Sequence, residues 1–204
     1  MTDWFWSSPQ WARYCAAYPQ PVVSNNGPHG NLIVSLDDGM WGRMGKGHRS
    51  QIRKTERTTQ LIIDTDGTHL DVFQGLHYLD AGRVTRPQAT WDVMRDWMPL
   101  GLGVVVIAIR DHLPIGGAYF VTYQTGSYYF SAARDPEYSS GGLFEKDSPA
   151  HLIVWTAMTW LRERGHTWLD LGPVPPPDAS EKEKAIAGFK SHFGAEVVQR
   201  VVAA

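Results

Sequence analysis

Cysteine is nearly absent from this sequence, because Cys15 is the single one among 204 residues. A lone cysteine excludes an internal disulfide and a cysteine-based metal site. Its place near one end of the chain is typical of a small, half-buried residue rather than of a nucleophile. Since intracellular proteins keep their thiols reduced, we expect a cytoplasmic protein.

Long apolar runs are missing as well. No stretch approaches the roughly 20 residues that a membrane-spanning helix needs, so we expect no membrane span. Residues 1–11 include Asp3 and several tryptophans, but no basic start and no small-residue cleavage site, so we do not expect a signal peptide. We expect this tryptophan-rich start to pack against the domain, with an interaction surface or a lid as the alternative.

Several kinds of cofactor and catalytic site are also excluded. The histidines lack metal-ligand spacing such as His-x-x-x-His, and the glycines form no Walker-type or dinucleotide-binding loop. Neither Cys15 nor a Ser-His-Asp series offers an activated nucleophile. We therefore predict no metal, no bound cofactor and no covalent enzyme intermediate.

Charge is small in total but unevenly placed. The formal net charge of −2 argues against a molecule that binds polyanions over its whole surface. Basic residues nevertheless crowd residues 43–57, opposed there only by Glu56. Arg49 and Arg53 are four residues apart, so on a helix they share one side and, together with Lys54, could clamp a phosphate group. An ordinary solvated helix face is the alternative.

The first half of the chain alternates between strand and helix patterns. Hydrophobic periodicity and turn residues predict strands at 32–36, 59–63 and 102–109, and helices at 8–18, 48–57, 68–81 and 88–97.

The second half is the more informative one. The residues predict strands at 116–123 and 127–133, a helix at 148–164, a strand at 167–171, a helix at 181–192 and a last strand at 195–202. The long helix begins at Ser148-Pro149, a hydroxyl cap followed by proline in the first turn. In the order β-β-α-β-α-β, strands that part beside a helix N-terminus form a cleft suited to acyl transfer.

These motifs resemble the FemAB-like branch of the GNAT superfamily, whose members move an aminoacyl or acyl group onto an amine. Upstream, residues 48–54 (HRSQIRK) are similar to the basic element that opens the second GNAT unit of that family. The other residues that carry the resemblance are Gly116-Gly117, Tyr128-Tyr129, Ser131-Ala132, Pro149-Ala150-His151-Leu152 with Trp155, Glu163-Arg164-Gly165, Asp170-Leu171-Gly172, Phe189-Lys190 and Phe193-Gly194.

The resemblance implies an α/β (α+β) fold, with a GNAT-like mixed, mostly antiparallel splayed sheet flanked by helices. We expect residues 37–204 to form this transferase domain and residues 1–36 to be a short N-terminal appendage packed on it. Full-length FemAB-like enzymes carry two GNAT units, whereas this chain has room for one. Whether a second copy supplies the missing unit in a homodimer is left open.

The resemblance also implies roles for site residues. Lys190 would stabilise the oxyanion of the tetrahedral stage and Phe189 would shape the acyl channel. Asp170 ends a strand beside the cleft and could accept the proton of the attacking amine, with a structural carboxylate as the alternative. Tyr128 and Tyr129 point to opposite faces of their strand, so only one of them is expected to face the cleft, and Tyr129 is the one we assign to the substrate.

Two further substrate contacts are candidates on the long helix. His151 lies in its first turn and could line the pocket, whereas a satisfied, half-buried histidine is the alternative. Trp155 follows one turn later, with core packing as its alternative.

The function predicted from these residues is transfer of an aminoacyl or acyl group to a primary amine. The donor would be an aminoacyl-tRNA or an acyl-CoA. Gly141 and Gly142 lie several residues too early for the usual pyrophosphate turn, and Asp147 stands in the anion position, which argues against a standard coenzyme A site. An acyl-CoA-dependent N-acyltransferase and a GNAT-like binding domain without catalysis remain as alternatives.

Overall fold

The computed structural model describes residues 9, 13, 29–138 and 148–199. The predicted helix at 8–18, the tryptophan-rich start, Cys15 and the loop with Gly141, Gly142 and Asp147 lie outside these ranges, apart from Pro9 and Arg13, which are helical. Within them, no helix has the length and apolar character needed to cross a membrane.

The strands form one mixed sheet. They are β1 (Asn31–Ser35), β2 (Gln60–Asp64), β3 (Gly103–Arg110), β4 (Leu113–Tyr123), β5 (Gly126–Arg134), β6 (Trp168–Pro173) and β7 (Glu196–Val198). Among the described residues, these seven strands lie in the order β2-β3-β4-β5-β6-β1-β7. All neighbours are antiparallel except β5 and β6, which are parallel, so the predicted mixed, mostly antiparallel sheet is confirmed.

The helices cover both faces of this sheet. They are α1 (Met40–Arg43), α2 (Lys46–Thr55), α3 (Leu70–Ala81), α4 (Gln88–Trp97), α5 (Ala150–Glu163) and α6 (Glu181–Ser191). The helix predicted at 68–81 begins later, at Leu70, because the backbone N–H groups of Gly67 and His69 donate to the carboxylate of Asp64, at 3.0 and 2.8 Å. Those bonds hold the preceding residues in a turn.

Strand β3 shows how the core divides between the two faces. Val104, Val106 and Ala108 pack into a cluster with residues of α2, α5 and α6, whereas Val105 and Ile107 pack with residues of α3 and α4. Successive side chains of a strand point to opposite faces, so a continuous apolar run contributes to two cores.

The sheet splits between its two parallel strands. Strands β5 and β6 pair only through Gly126, Ser127 and Tyr128, which oppose Trp168, Leu169 and Asp170. Beyond that point β5 stays with β4, while β6 continues beside β1 as far as Pro173. The predicted splay is therefore located directly after Tyr128 and Asp170.

Strand β1 belongs to this sheet. It lies inside the segment predicted as an N-terminal appendage, yet it pairs with β6 on one side and with β7 on the other. Of the predicted last strand, Glu196–Val198 pair with β1 as β7, and residues 200–202 lie outside the described ranges.

Candidate functional site

A cleft of about 380 Å³ opens where the sheet splits. Strands β4 and β5 form one wall, the start of α5 the second and α6 the third. The lining side chains are mixed in character, with aromatic and aliphatic groups around a few charged ones. They are Asp80, Gly117, Ala118, Tyr128, Tyr129, Phe130, Ser131, Ala132, Ala133, Arg134, Ser148, Pro149, Ala150, Ile153, Lys182, Ile186, Phe189 and Lys190.

Lys190 is a half-buried cation of this cleft, which Arg134 and Lys182 also line. Its ammonium group lies 5.4 Å from the ring centre of Tyr129, within cation–π range. Burial lowers the pKa of Lys190 to about 8, and the negative charge of Asp170 opposes that shift. Near neutral pH the side chain is therefore mostly an ammonium ion, in a setting where its charge is poorly solvated.

Gly172 lets Lys190 approach strand β6. Its backbone has φ of +104°, and a Cβ atom at this position would lie 3.1 Å from Nζ of Lys190. The turn is held by Asp170, whose Oδ1 accepts a hydrogen bond from the N–H of Gly172 at 2.7 Å. Its Oδ2 accepts from Nδ2 of Asn31 in β1 at 2.6 Å. Asp170 is thus buried, with both oxygens engaged.

Phe189 combines a cleft-facing side with a buried aromatic cluster. It is 3% exposed and packs edge-on against His151 and Phe193, with ring centres 5.0 and 5.2 Å away. His151 is not among the cleft-lining residues and lies behind Phe189. Burial lowers the pKa of His151 to about 4, the charge of His48 adds to this shift, and the backbone of Ser148 opposes it.

Both tyrosines of β5 line the cleft, contrary to the expectation that only one would. Tyr128 packs with the α3 and α4 cluster and Tyr129 against the opposite one, as predicted from strand alternation. The sheet, however, ends its β5–β6 pairing at Tyr128, so the side chain at that edge is open to the gap. Burial also raises the pKa of Tyr129, which stays a neutral phenol.

The pairing of β4 with β5 shifts register beside the cleft. Tyr119 opposes Ser131 and Phe120 opposes Tyr129, so Phe130 is an extra residue on β5. Bulges of this kind bend a strand and re-aim its side chains, and they are frequent next to functional sites.

The predicted phosphate-binding residues lie outside the cleft, on α2. Arg49 donates from Nη1 to the carbonyl oxygens of Trp41 and Gly42, at 3.1 and 2.9 Å. Arg53 is exposed and lies over the Trp41 ring at 5.4 Å, and Lys54 is exposed beside it. Trp155 of α5 packs on the same Trp41 with ring centres 4.8 Å apart. Trp155 therefore lies near the basic side chains of α2 and does not line the cleft that holds Lys190.

Sequence reasoning missed His48, which is only 7% exposed. Its Nε2 lies 2.9 Å from the carbonyl oxygen of Phe189, so the ring donates to the peptide unit that leads into Lys190. His48 belongs to the basic HRSQIRK element that was identified from the sequence. No sequence pattern indicated, however, that this element packs against the end of α6. The contact of Asn31 with Asp170 and the role of Gly172 beside Lys190 were likewise not predicted, because each joins segments that are far apart or on different elements.

Metal-ligating side chains do not come together in the described parts of the chain, where no group of three or more His, Cys, Asp or Glu residues could hold an ion.

Solved structures with the same fold are numerous. FemX superposes with a TM-score of 0.70 at 16% identity, covering 90% of this chain and 63% of its own. The C-terminal domain of a putative lysylphosphatidylglycerol synthetase from Agrobacterium fabrum gives 0.57 at 13% identity, covering 82% of this chain and 57% of its own. An aminoglycoside acetyltransferase from an uncultured soil metagenomic sample, in complex with sisomicin, gives 0.50 at 12% identity, covering 72% of this chain and 95% of its own.

These similarities establish the fold. The first two proteins are also longer than this chain. The chain spans 63% of FemX and 57% of the synthetase domain. The FemX architecture agrees with the FemAB-like resemblance predicted from the sequence. No curated protein matches the chain. Residues 43–185 match the family described as "Acetyltransferase (GNAT) domain", which covers more than half of the sequence. The chain therefore belongs to the GNAT acetyltransferase-domain family.

Proposed function

We propose that this protein transfers an acyl or aminoacyl group from an ester or thioester donor to a primary amine. The observation that carries the proposal is the Lys190 ammonium group, half-buried in the cleft where β5 and β6 part. Charge developing on a carbonyl oxygen is stabilised most effectively by a donor that is already oriented and poorly solvated.

The reaction needs little more than position and charge. The neutral amine attacks the carbonyl carbon of the donor, so that an N–C bond forms while the carbonyl electron pair moves onto oxygen. The Lys190 ammonium group stabilises that oxyanion. Collapse restores the C=O bond and expels the alkoxide or thiolate, which takes up the proton lost by the amine. Holding the two reactants together in one cleft supplies much of the rate enhancement.

The other cleft residues divide into acyl contacts and supports. Phe189, Ile153 and Tyr129 give the acyl group an apolar, aromatic lining around Lys190. Asp170 favours the charged form of Lys190 and holds the Gly172 turn. Because both of its oxygens already accept hydrogen bonds, we favour this supporting role over that of proton acceptor. His151 supports Phe189 from behind.

Donor phosphate groups are assigned to α2. Arg53 and Lys54 are exposed in its last turn, while Arg49 fixes the helix to α1 through two backbone carbonyls. A donor held there by phosphate would extend its acyl end toward the cleft. Both aminoacyl-tRNA and acyl-CoA carry such phosphates, and both are abundant in the cytoplasm, where we place the protein.

The experiment is an assay of donors and acceptors with the purified protein. Acetyl-CoA, longer acyl-CoAs and a set of aminoacyl-tRNAs are each incubated with a library of primary amines, and acylated products are identified by mass spectrometry. Retention of coenzyme A, measured by calorimetry, separates the two donor classes. If no donor is consumed across the panel, the proposed function is wrong.

Replacing Lys190 gives the sharper result. We expect Lys190→Met to lower kcat by roughly 10²–10³-fold, the usual cost of losing one oxyanion donor. The matched control is Lys184→Met on the same helix, because Lys184 is exposed and pairs with Glu181 at 3.2 Å. This control should keep wild-type kcat. Equal activity of the two variants would remove Lys190 from the mechanism.

A further inference from the structure

The buried side of α6 contains an interaction to which the proposed mechanism assigns no role. His48 of α2 lies in contact with four rings, at 4.3 Å from His151, 4.6 Å from Phe193, 5.3 Å from Phe189 and 5.4 Å from His192, measured between ring centres. Nε2 of this ring lies 2.9 Å from the carbonyl oxygen of Phe189. A carbonyl can only accept, so Nε2 carries the hydrogen in this contact.

The accepting carbonyl has a particular place in its helix. Phe189 lies in the last turn of α6, where backbone carbonyls have no further N–H group of the same helix to bind. A histidine that donates to such a carbonyl caps the helix end from outside. The capped carbonyl belongs to the peptide unit between Phe189 and Lys190. The side chain of His48 therefore restrains the backbone from which Lys190 projects.

A second bond joins the same two parts of the chain. The N–H of Gly45, which directly precedes α2, donates to the carbonyl oxygen of His192 at 2.8 Å. A displacement of α2 would thus move the backbone at both ends of the turn 189–192. The groups that act on Lys190 come from other elements, namely the Asp170 carboxylate of β6 and the Tyr129 ring of β5. The other charged side chains that line the cleft are Asp80, Arg134 and Lys182.

We propose that His48 is a positioning residue for the reaction, which holds the Phe189–Lys190 peptide unit so that the ammonium group of Lys190 stays in the split of the sheet. This inference rests on the proposed function for its effect on catalysis. The effect of His48 on the location of Lys190 can be measured without any enzymatic activity.

The test uses two amides of different reach. The amide nitrogen of glutamine can occupy the place of Nε2, whereas that of asparagine ends near the place of Nδ1. We expect His48→Gln to keep kcat and KM close to wild type. We expect His48→Asn to lower kcat roughly 10- to 100-fold, as for a misplacement of about 1 Å, with KM changed less than about twofold. His77→Gln is the control, because His77 is a half-buried histidine of α3 that is hydrogen-bonded to Thr85 and packs against the rings of Phe73 and Trp91.

The location of Lys190 is read directly by competitive labelling. Each variant is treated with acetic anhydride between pH 6 and 11, and modification of Lys190 is quantified by mass spectrometry as a function of pH. Wild type and His48→Gln should titrate near pH 8, the value that burial imposes on Lys190. In His48→Asn the group should move into water, so its titration should rise toward the ordinary lysine value of about 10.4.

A purely structural His48 would give another pattern. Both variants would then lose thermal stability while the titration of Lys190 stayed near pH 8, and that result would overturn the inference. Should wild type transfer no acyl group from any donor, the proposed function fails, but the labelling still decides the role of His48. If His48→Asn does not fold, His48→Leu, which is closer in volume and has no donor, replaces it.

Discussion

At the scale of single residues, Gly172 decides whether Lys190 can occupy its place. Its φ of +104° lies in a region that other residues adopt only with strain, and the missing Cβ leaves room for Nζ of Lys190. Two independent reasons, one of backbone conformation and one of space, thus require glycine here.

We predict that Gly172→Ala lowers both stability and activity. The left-handed conformation should cost on the order of 1–3 kcal/mol of unfolding free energy. The new Cβ, 3.1 Å from Nζ, should also displace the ammonium group and lower kcat by at least about tenfold. Urea unfolding and initial rates measure the two effects.

Gly165→Ala is the matched control for that prediction. Gly165 also has a positive φ, of +83°, but no heavy atom lies within 4 Å of its missing Cβ. Its replacement should therefore lower stability by a similar amount while kcat remains that of wild type. An equal loss of kcat in both variants would show that general destabilisation, and not the position of Lys190, explains the effect.

Single residues also show where sequence reasoning stops. Lys190 and Phe189 were predicted as site residues through their resemblance to a family motif, and both line the cleft. His48 was not predicted, because its partner Phe189 is 141 positions away. Asn31 reaches Asp170 across 139 positions. Contacts of this kind depend on which strands become neighbours, which no local pattern contains.

At the scale of elements, the two ends of α6 are secured in different ways. At its start, Ser180 and Glu183 form a capping box, in which Glu183 N–H donates to Ser180 Oγ at 3.3 Å and Ser180 N–H donates to Glu183 Oε2 at 2.9 Å. This end was predicted at Glu181, where the helix does begin. The other end was predicted at His192, which directly follows the last helical residue, Ser191. The contacts of α2 with this end were not predicted from local sequence.

Helix α2 was predicted as a helix with a basic face, and its position relative to the cleft supplies a test of the phosphate assignment. We predict that the double variant Arg53→Gln and Lys54→Gln raises KM for the donor several-fold and leaves kcat unchanged, because the two charges lie outside the cleft. The difference from wild type should shrink at high salt, since exposed charges are screened. Initial rates at low and high ionic strength are the measurement.

The control for α2 is Arg83→Gln, which removes an exposed positive charge beside α3 on the other face of the sheet. It should leave KM for the donor unchanged. A double variant with wild-type KM at low salt would place the donor phosphates elsewhere.

At the scale of the whole molecule, buried and half-buried histidines link stability to pH. Burial lowers the pKa of His151 and of His77 to about 4, and lowers those of His48 and His166 from the ordinary value. Unfolded histidines titrate near 6.5. Between these values the unfolded chain binds more protons than the folded one, so stability rises with pH across this window and is lost on acidification.

We predict a clear loss of stability between pH 7 and pH 5, before most carboxylates titrate. His151 is 4% exposed, and its contribution alone should be about 2 kcal/mol at pH 5, from 1.4 kcal/mol per unit of pKa difference. In His151→Phe, which keeps an aromatic ring beside Phe189, the fall should be smaller by about this amount. Urea unfolding at pH 7 and at pH 5 measures the free energy of unfolding of wild type and of His151→Phe. An equal fall in the two proteins would contradict the prediction.

Local patterns were sufficient for most helices and strands. Hydrophobic periodicity and helix-capping residues depend only on residues close together in sequence. For this reason the predicted helix 88–97 coincides with α4. The strand predicted at 102–109 corresponds to β3 (Gly103–Arg110), and the structure shows that this apolar run is covered on both faces. Motif order along the chain was also enough to indicate the GNAT family, which the match over residues 43–185 confirms.

Tertiary structure alone decided where the chemistry lies. The parting of β5 and β6 after Tyr128 and Asp170, the place of β1 between β6 and β7, and the contact of His48 with the end of α6 all join segments far apart in sequence. The physical reason is that the pKa of Lys190 depends on its burial and on Asp170, both of which arise only when distant segments pack together.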